Sequence, residues 1–181
     1  FSPLRDRTLP ECDGLYIGGG DPENHLSSLT RNLSMKDSIR RRMKQGLPCM
    51  AECGGFMYLL SEFQDSSGVI HEMAGVLEGR STMTGGLSRF GYVTLTALEN
   101  NLLCRKGERI NGHEFHYSDS DQPGSSFQAV KPSGKAWTCI HGKETLFAGY
   151  PHLHLWGNPS FGEAFVNACQ VYKNGRNRHE A

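Results

Sequence analysis

The sequence has no charge excess, no long apolar run, no paired cysteine motif and no nucleotide-binding signature, and each absence removes a class of function. Lys plus Arg number 19 and Asp plus Glu number 19, so no overall field draws the chain to nucleic acid or to an anionic membrane. The basic run Arg40-Arg41-Arg42 reads as the solvated face of a helix. No apolar stretch approaches the roughly 20 residues that span a bilayer, and the N-terminus carries neither a signal-peptide core nor a transit pattern, so a cytoplasmic protein is expected. Six cysteines (Cys12, Cys49, Cys53, Cys104, Cys139 and Cys169) are scattered without C-x-x-C pairs, which argues against a structural zinc site and a disulfide scaffold. Neither G-x-G-x-x-G in the right context nor G-x-x-x-x-G-K-[ST] occurs, so no ATP or NAD site is expected in this chain. Internal repeats, low-complexity tracts and long linkers are also missing, and 181 residues suit one domain. That domain is expected over residues 1–172, with a polar, frayed tail over 173–181.

What is present begins with a strand, glycine loop and helix start: Asp13-Gly14-Leu15-Tyr16-Ile17, then Gly18-Gly19-Gly20, then Asp21-Pro22-Glu23. The glycines suit a tight strand-to-helix turn on steric grounds alone. Met35, Ile39 and Met43 recur at helical spacing between Ser34 and Gln45, and Gly46-Leu47-Pro48 ends that helix. Strand, helix, strand, helix implies a parallel sheet. Further strands are expected at Val69 to Leu77, Phe90 to Leu98, Ile110 to Tyr117, Ser126 to Val130, Trp137 to His141 and Leu146 to Leu155. An amphipathic helix over Ser160 to Tyr172 closes the domain, with Phe161, Ala164, Phe165, Ala168 and Cys169 on one face.

The segment richest in chemistry is Leu47-Pro48-Cys49-Met50-Ala51-Glu52-Cys53-Gly54-Gly55-Phe56-Met57-Tyr58-Leu59. It sets Cys53 where a buried strand turns sharply into a helix, the geometry of an exposed nucleophile. The unpaired N–H groups at a helix N-terminus favour thiolate over thiol and can hold an oxyanion. The plain alternative is that Cys53 is a small buried hydrophobe.

Two histidine clusters accompany it: Gly112-His113-Glu114-Phe115-His116-Tyr117-Ser118 and Tyr150-Pro151-His152-Leu153-His154-Leu155. Strand alternation places His152 and His154 on one face and separates His113 from His116. One imidazole would serve as the base for Cys53. Four imidazoles and Glu114 also offer ligands to a metal, and ordinary structural histidines are the third reading. Because His113 and His116 fall on opposite sides of a strand, no metal site is expected.

In their order along the chain, Phe1-Ser2-Pro3-Leu4, Asp13-Gly14-Leu15-Tyr16, Gly18-Gly19-Gly20, Ala51-Glu52-Cys53-Gly54-Gly55, Met57-Tyr58-Leu59, Gly112 to Ser118 and His152-Leu153-His154 resemble the glutamine amidotransferase domain of the cobyrinic acid a,c-diamide synthase family. The resemblance covers nearly the whole chain. It implies an α/β, flavodoxin-like class I glutamine amidotransferase fold lacking its opening strand, helix, strand unit, with an exposed sheet edge as a consequence. It also implies a catalytic Cys53 that attacks the side-chain amide of glutamine. His152 aligns with the base, and Gly19, Gly20 and Gly54 line up with the oxyanion and glutamine-binding positions. Ordinary triad amidotransferases carry a glutamate two residues after the base to orient it. Here His154 holds that place, so the assignment of the base between His152 and His154 stays open. His113, Glu114, His116 and Tyr117 are assigned to a substrate-facing or domain-facing surface.

The implied partners are glutamine, an ATP-dependent synthetase domain or chain using ATP and magnesium, and a corrinoid whose a and c acetate side chains become amides. No cofactor is implied for this chain itself. Alternative readings are amidation of another tetrapyrrole such as nickel sirohydrochlorin, or a non-catalytic remnant that binds a synthetase partner. Asp21 stands where the family usually has tyrosine, and Pro151 and Trp156 alter the surroundings of the two histidines.

Overall fold

The computed structural model describes residues 1–179. The first half alternates strands and helices: β1 (Leu15–Ile17), α1 (Leu26–Arg31), α2 (Leu33–Lys44), β2 (Cys49–Glu52), α3 (Gly54–Leu59), β3 (Leu60–Gln64), β4 (Ile70–Glu72) and β5 (Leu77–Met83). The second half is mostly strand: β6 (Arg89–Ala97), β7 (Arg109–His116), β8 (Ser118–Ser120), β9 (Phe127–Val130), β10 (Ala136–Cys139), β11 (His141–Gly142), β12 (Leu146–Gly149) and β13 (His152–Leu153), closed by α4 (Pro159–His179). Among the described residues no helix is long and apolar enough to cross a membrane.

Three sheets result, ordered β1-β2-β12-β11, β10-β9-β6-β7-β13 and β4-β3-β5-β8. In the first, β2 runs parallel to both β1 and β12, so it is hydrogen-bonded on both sides and every residue of Cys49–Glu52 is buried. Alternation along these strands feeds two cores. Leu15, Ile17, Cys49, Ala51, Leu146 and Ala148 pack toward the helices, while Met50 and Phe147 join Val93, Leu95, Phe127 and Phe161 on the side of the second sheet. Glu52 follows Met50 by two residues and therefore points to that second side. Tyr16, paired with Met50 across β1 and β2, does the same.

The expected helix at Ser34 to Gln45 is α2, with Met35 and Ile39 fully buried and the Asn32 side chain accepting from the Met35 N–H at its start. Gly46, at φ 85°, turns the chain out of it. The apolar face expected on the last helix is also present, Phe161 being completely buried.

Four boundaries differ from the sequence pattern. Val69 to Leu77 is two strands, because the chain turns through Gly75 at φ 63° between β4 and β5. Trp137 to His141 breaks at Ile140, at φ 69°, which divides β10 and β11 between two sheets. Leu146 to Leu155 breaks at Tyr150-Pro151, so β12 lies in the first sheet and β13 in the second. The polar stretch from Lys173 continues α4 to His179 rather than fraying, since Arg176 pairs with Glu11 at 3.0 Å and with Asp13 at 3.2 Å. Residues 180 and 181 of the expected tail lie outside the described residues.

Candidate active site

The site starts from the end of β2. Cys53 sits at φ 47°, ψ −107°, a left-handed backbone that side chains other than glycine adopt at a cost of about 1–3 kcal/mol. The strain is held by packing on both sides. The Cys53 N–H donates to the Gly149 carbonyl at 2.8 Å, and its carbonyl accepts from the Met57 N–H at 2.9 Å to open α3. Glycine is required at the next two positions for a steric reason. A Cβ on Gly54 would collide with the Gly20 carbonyl oxygen, and one on Gly55 with that of Ile17. The glycine loop after β1 therefore lies directly against the first turn of α3, whose leading N–H groups have no partner within the helix. A cavity of about 300 Å³ opens beside this contact, lined by Tyr16, Gly19, Gly20, Asp21, Gly54 and Tyr58 among others. Asp21, singled out in the sequence, is thus on its wall.

His152 reaches the same place from the second sheet. The Pro151 break ends β12 and starts β13, which pairs with β7 so that His152 faces His113. The side chain is 36% exposed, and its ring rests on Gly19, where a Cβ would strike Cε1. Its pKa is pushed up to about 10, first by the neighbouring Cys53 thiol and then by the Glu52 carboxylate, against the opposing effect of burial. Nδ1 stands 3.6 Å from Oε2 of Glu52, an ion-pair distance slightly long for a hydrogen bond. Glu52 is itself buried and doubly held: Oε2 accepts from the Tyr16 hydroxyl at 2.8 Å and Oε1 from the Leu153 N–H at 2.9 Å. Burial and the Glu52 carboxylate push the Tyr16 pKa up to about 12, so the phenol stays a donor.

Cys53, His152, Gly19, Gly20 and Gly54 are therefore brought together, and Glu52 and Tyr16 join them unannounced. The one signal for Glu52 was a carboxylate closing an otherwise apolar strand. His154 is placed elsewhere. The strand ends at Leu153, so His152 and His154 do not share a strand face as alternation had suggested. His154 leads a short 3₁₀ turn over Leu155–Gly157, is exposed, and turns its ring toward Gly157. Among the described residues its side chain has no hydrogen bond.

The second histidine segment divides by face along β7. His113 and Tyr117 point outward, where His113 meets Tyr92 and Phe90 edge-on at 5.2 and 5.7 Å and Tyr117 meets Phe115 at 5.5 Å. Register places Tyr92, His113 and His152 in one row across β6, β7 and β13. Glu114 and His116 are 0% and 3% exposed, which corrects their assignment to an outward surface. They form an interior cluster. His116 Nε2 lies 3.7 Å from Glu114 Oε2, Nδ1 bonds the Ser118 carbonyl at 2.7 Å, and the ring stacks on Tyr150 at 3.9 Å. The Tyr150 hydroxyl is in turn bonded to Ser81 and Ser118. Among the described residues no group of three His, Cys, Asp or Glu is placed to hold a metal ion.

Residues 1–160 match the family described as the CobB/CobQ-like glutamine amidotransferase domain. Among curated proteins, the chain is 42% identical over 168 residues to the cobyrinate a,c-diamide synthase of Fusobacterium nucleatum, covering 90% of this chain and 36% of that protein. It is 38% identical over 175 residues to the enzyme of the same name from Salmonella typhimurium, covering 94% and 38%. It thus spans little more than a third of the length of these relatives. A solved glutamine amidotransferase superposes with a TM-score of 0.60 at 18% identity, over 87% of this chain and 79% of that one, which shows a shared fold.

Proposed function

Since the chain belongs to the CobB/CobQ-like glutamine amidotransferase domain family, we propose that it is the glutamine-hydrolysing part of a cobyrinate a,c-diamide synthase. The observation that carries this reading is His152 seated beside Cys53 and Glu52, with its ring against Gly19 of the glycine loop. Cys53 adds as thiolate to the side-chain carbonyl carbon of glutamine. The oxygen takes up negative charge beside the backbone N–H groups of Gly20 and Gly54. His152 holds the proton and delivers it to the departing nitrogen, leaving ammonia and a glutamyl thioester. A water that gives its proton to His152 then attacks the thioester, and glutamate leaves with the thiol restored.

The ammonia is consumed by an ATP-dependent synthetase part, which would convert the a and c acetate side chains of a corrinoid to amides. ATP and magnesium belong to that part, the present sequence having no phosphate-binding loop. The row of exposed Tyr92 and half-buried His113, continuous with His152, supports a domain-facing role for this face of the sheet.

An intact-mass experiment tests the site. A diazo-ketone analogue of glutamine is expected to add one label to the chain, and Cys53→Ala to abolish it. Labelling that survives the substitution overturns the assignment.

A further inference from the structure

We propose that Glu52, the residue immediately before the nucleophile, is the positioning residue for His152. It would supply from β2 the carboxylate that triad enzymes ordinarily carry two residues after the base. The inference rests on the reading of Cys53 and His152 given above and extends it to a residue that the histidine segments do not contain.

Four observations converge. Glu52 is a carboxylate only 3% exposed on a strand that is otherwise apolar, a placement costly to a charge unless it is paired and hydrogen-bonded. Its two fixed donors, Tyr16 from β1 and Leu153 from β13, clamp the group from either side and leave Oε2 aimed at Nδ1 of His152 at 3.6 Å. The Leu153 donor is the residue next to His152, so the same carboxylate anchors both the imidazole and the strand that carries it. And the residue two positions after His152, His154, has its ring beside Gly157.

The chemistry follows from charge. When His152 holds the proton taken from the thiol it is an imidazolium, and a buried anion facing Nδ1 stabilises that form and fixes the ring, so that Nε2 is the nitrogen left for sulfur. The raised pKa of His152 agrees in direction, with Glu52 the second cause after Cys53. The groups that face His152 are Cys53 from the elbow, Glu52 from β2 and His113 from β7, with Tyr16 acting through Glu52.

The test uses the 181-residue chain with Glu52→Gln, which keeps an acceptor for Tyr16 or Leu153 and removes the charge. The titration midpoint of His152, followed by NMR of labelled histidine and assigned with His152→Gln, is expected to fall by about one pH unit or more. A Glu52 that only tied β1 to β13 would leave the midpoint in place, and an unchanged midpoint overturns the proposal. Glutamine hydrolysis is expected to lose kcat by about 10²- to 10⁴-fold with KM within a few-fold. Loss of activity through KM alone counts against positioning. Should Glu52→Gln not fold, the unmodified chain decides: a His152 whose neutral form carries its proton on Nδ1 supports the proposal, and the Nε2–H tautomer overturns it. The midpoint and the tautomer need no glutaminase turnover. A chain in which Cys53 escapes the diazo-ketone label but His152 answers to Glu52 would therefore remove the functional reading and leave the pairing standing.

Discussion

Gly19 and His152 share one small volume: the imidazole occupies the space in which any side chain at position 19 would begin, with Cε1 in the path of a Cβ. The glycine loop thus does more than turn a strand into a helix. It is the floor on which the His152 ring rests. Gly19→Ala is expected to leave the fold intact, since Gly19 has no left-handed backbone to strain, while pushing the ring from Cys53. A displacement near 1 Å costs on the order of 10²-fold. Parallel measurement of kcat for glutamine hydrolysis and of the thermal midpoint checks this: a fall in the first with the second nearly fixed is the expected result.

His152 also makes stability depend on pH with a definite sign. Its pKa rises from 6.5 in the unfolded chain to about 10 in the folded one. The contribution is therefore complete below about 6.5 and is lost as pH climbs through about 10, because the folded state gives up its extra proton there. Comparing melting midpoints of the unmodified chain and His152→Gln across this range should show the advantage of the histidine shrinking steadily toward the alkaline end. A difference that grows with pH contradicts the assignment of causes.

The interior pair Glu114 and His116 offers a separate test of packing. Both carboxylate oxygens of Glu114 and Nε2 of His116 are buried without hydrogen-bond partners among the described residues, so each group depends on the other across 3.7 Å. His116→Phe keeps an aromatic ring against Tyr150 but leaves the carboxyl alone. Removing one member of a buried pair in this way costs about 3–5 kcal/mol, readable by urea unfolding. Adding Glu114→Gln should recover part of that loss, since the buried carboxyl left without its partner is then gone.

The six cysteines should separate by environment. Burial pushes the thiols of Cys49 and Cys139 well up, and that of Cys104 up to about 11. Iodoacetamide near neutral pH is expected to spare all three in the native chain and to modify them only in denaturant. Peptide mass mapping of Cys53 against these three decides whether the elbow thiol is the reactive one. Modification of Cys49 ahead of Cys53 would contradict the ranking.

Local chemistry was enough to read the sharp strand-to-helix turn at Cys53. An apolar run ending in Cys53-Gly54-Gly55 admits few backbones, and the one adopted, at φ 47°, is the sharp turn the residues suggested. The helices at Ser34 and Ser160 were legible for a similar reason, because a 3.6-residue period is written along the chain itself. What periodicity could not place were the breaks at Gly75, Ile140 and Tyr150-Pro151, since an apolar run looks the same whether it stays in one sheet or crosses to another.

That crossing is what the tertiary structure decided. By ending β12 at Gly149 and starting β13 at His152, the fold seats His152 on a different sheet from the strand that leads into Cys53 and turns His154 away. It then brings the Glu52 carboxylate, 100 positions before His152, to within 3.6 Å of Nδ1. Residue order determined which groups were available: a thiol at a strand-to-helix turn, an imidazole on a short strand, glycines where backbones must touch. Their partners depended on register between strands distant in sequence, and no local pattern encodes a pairing across two sheets.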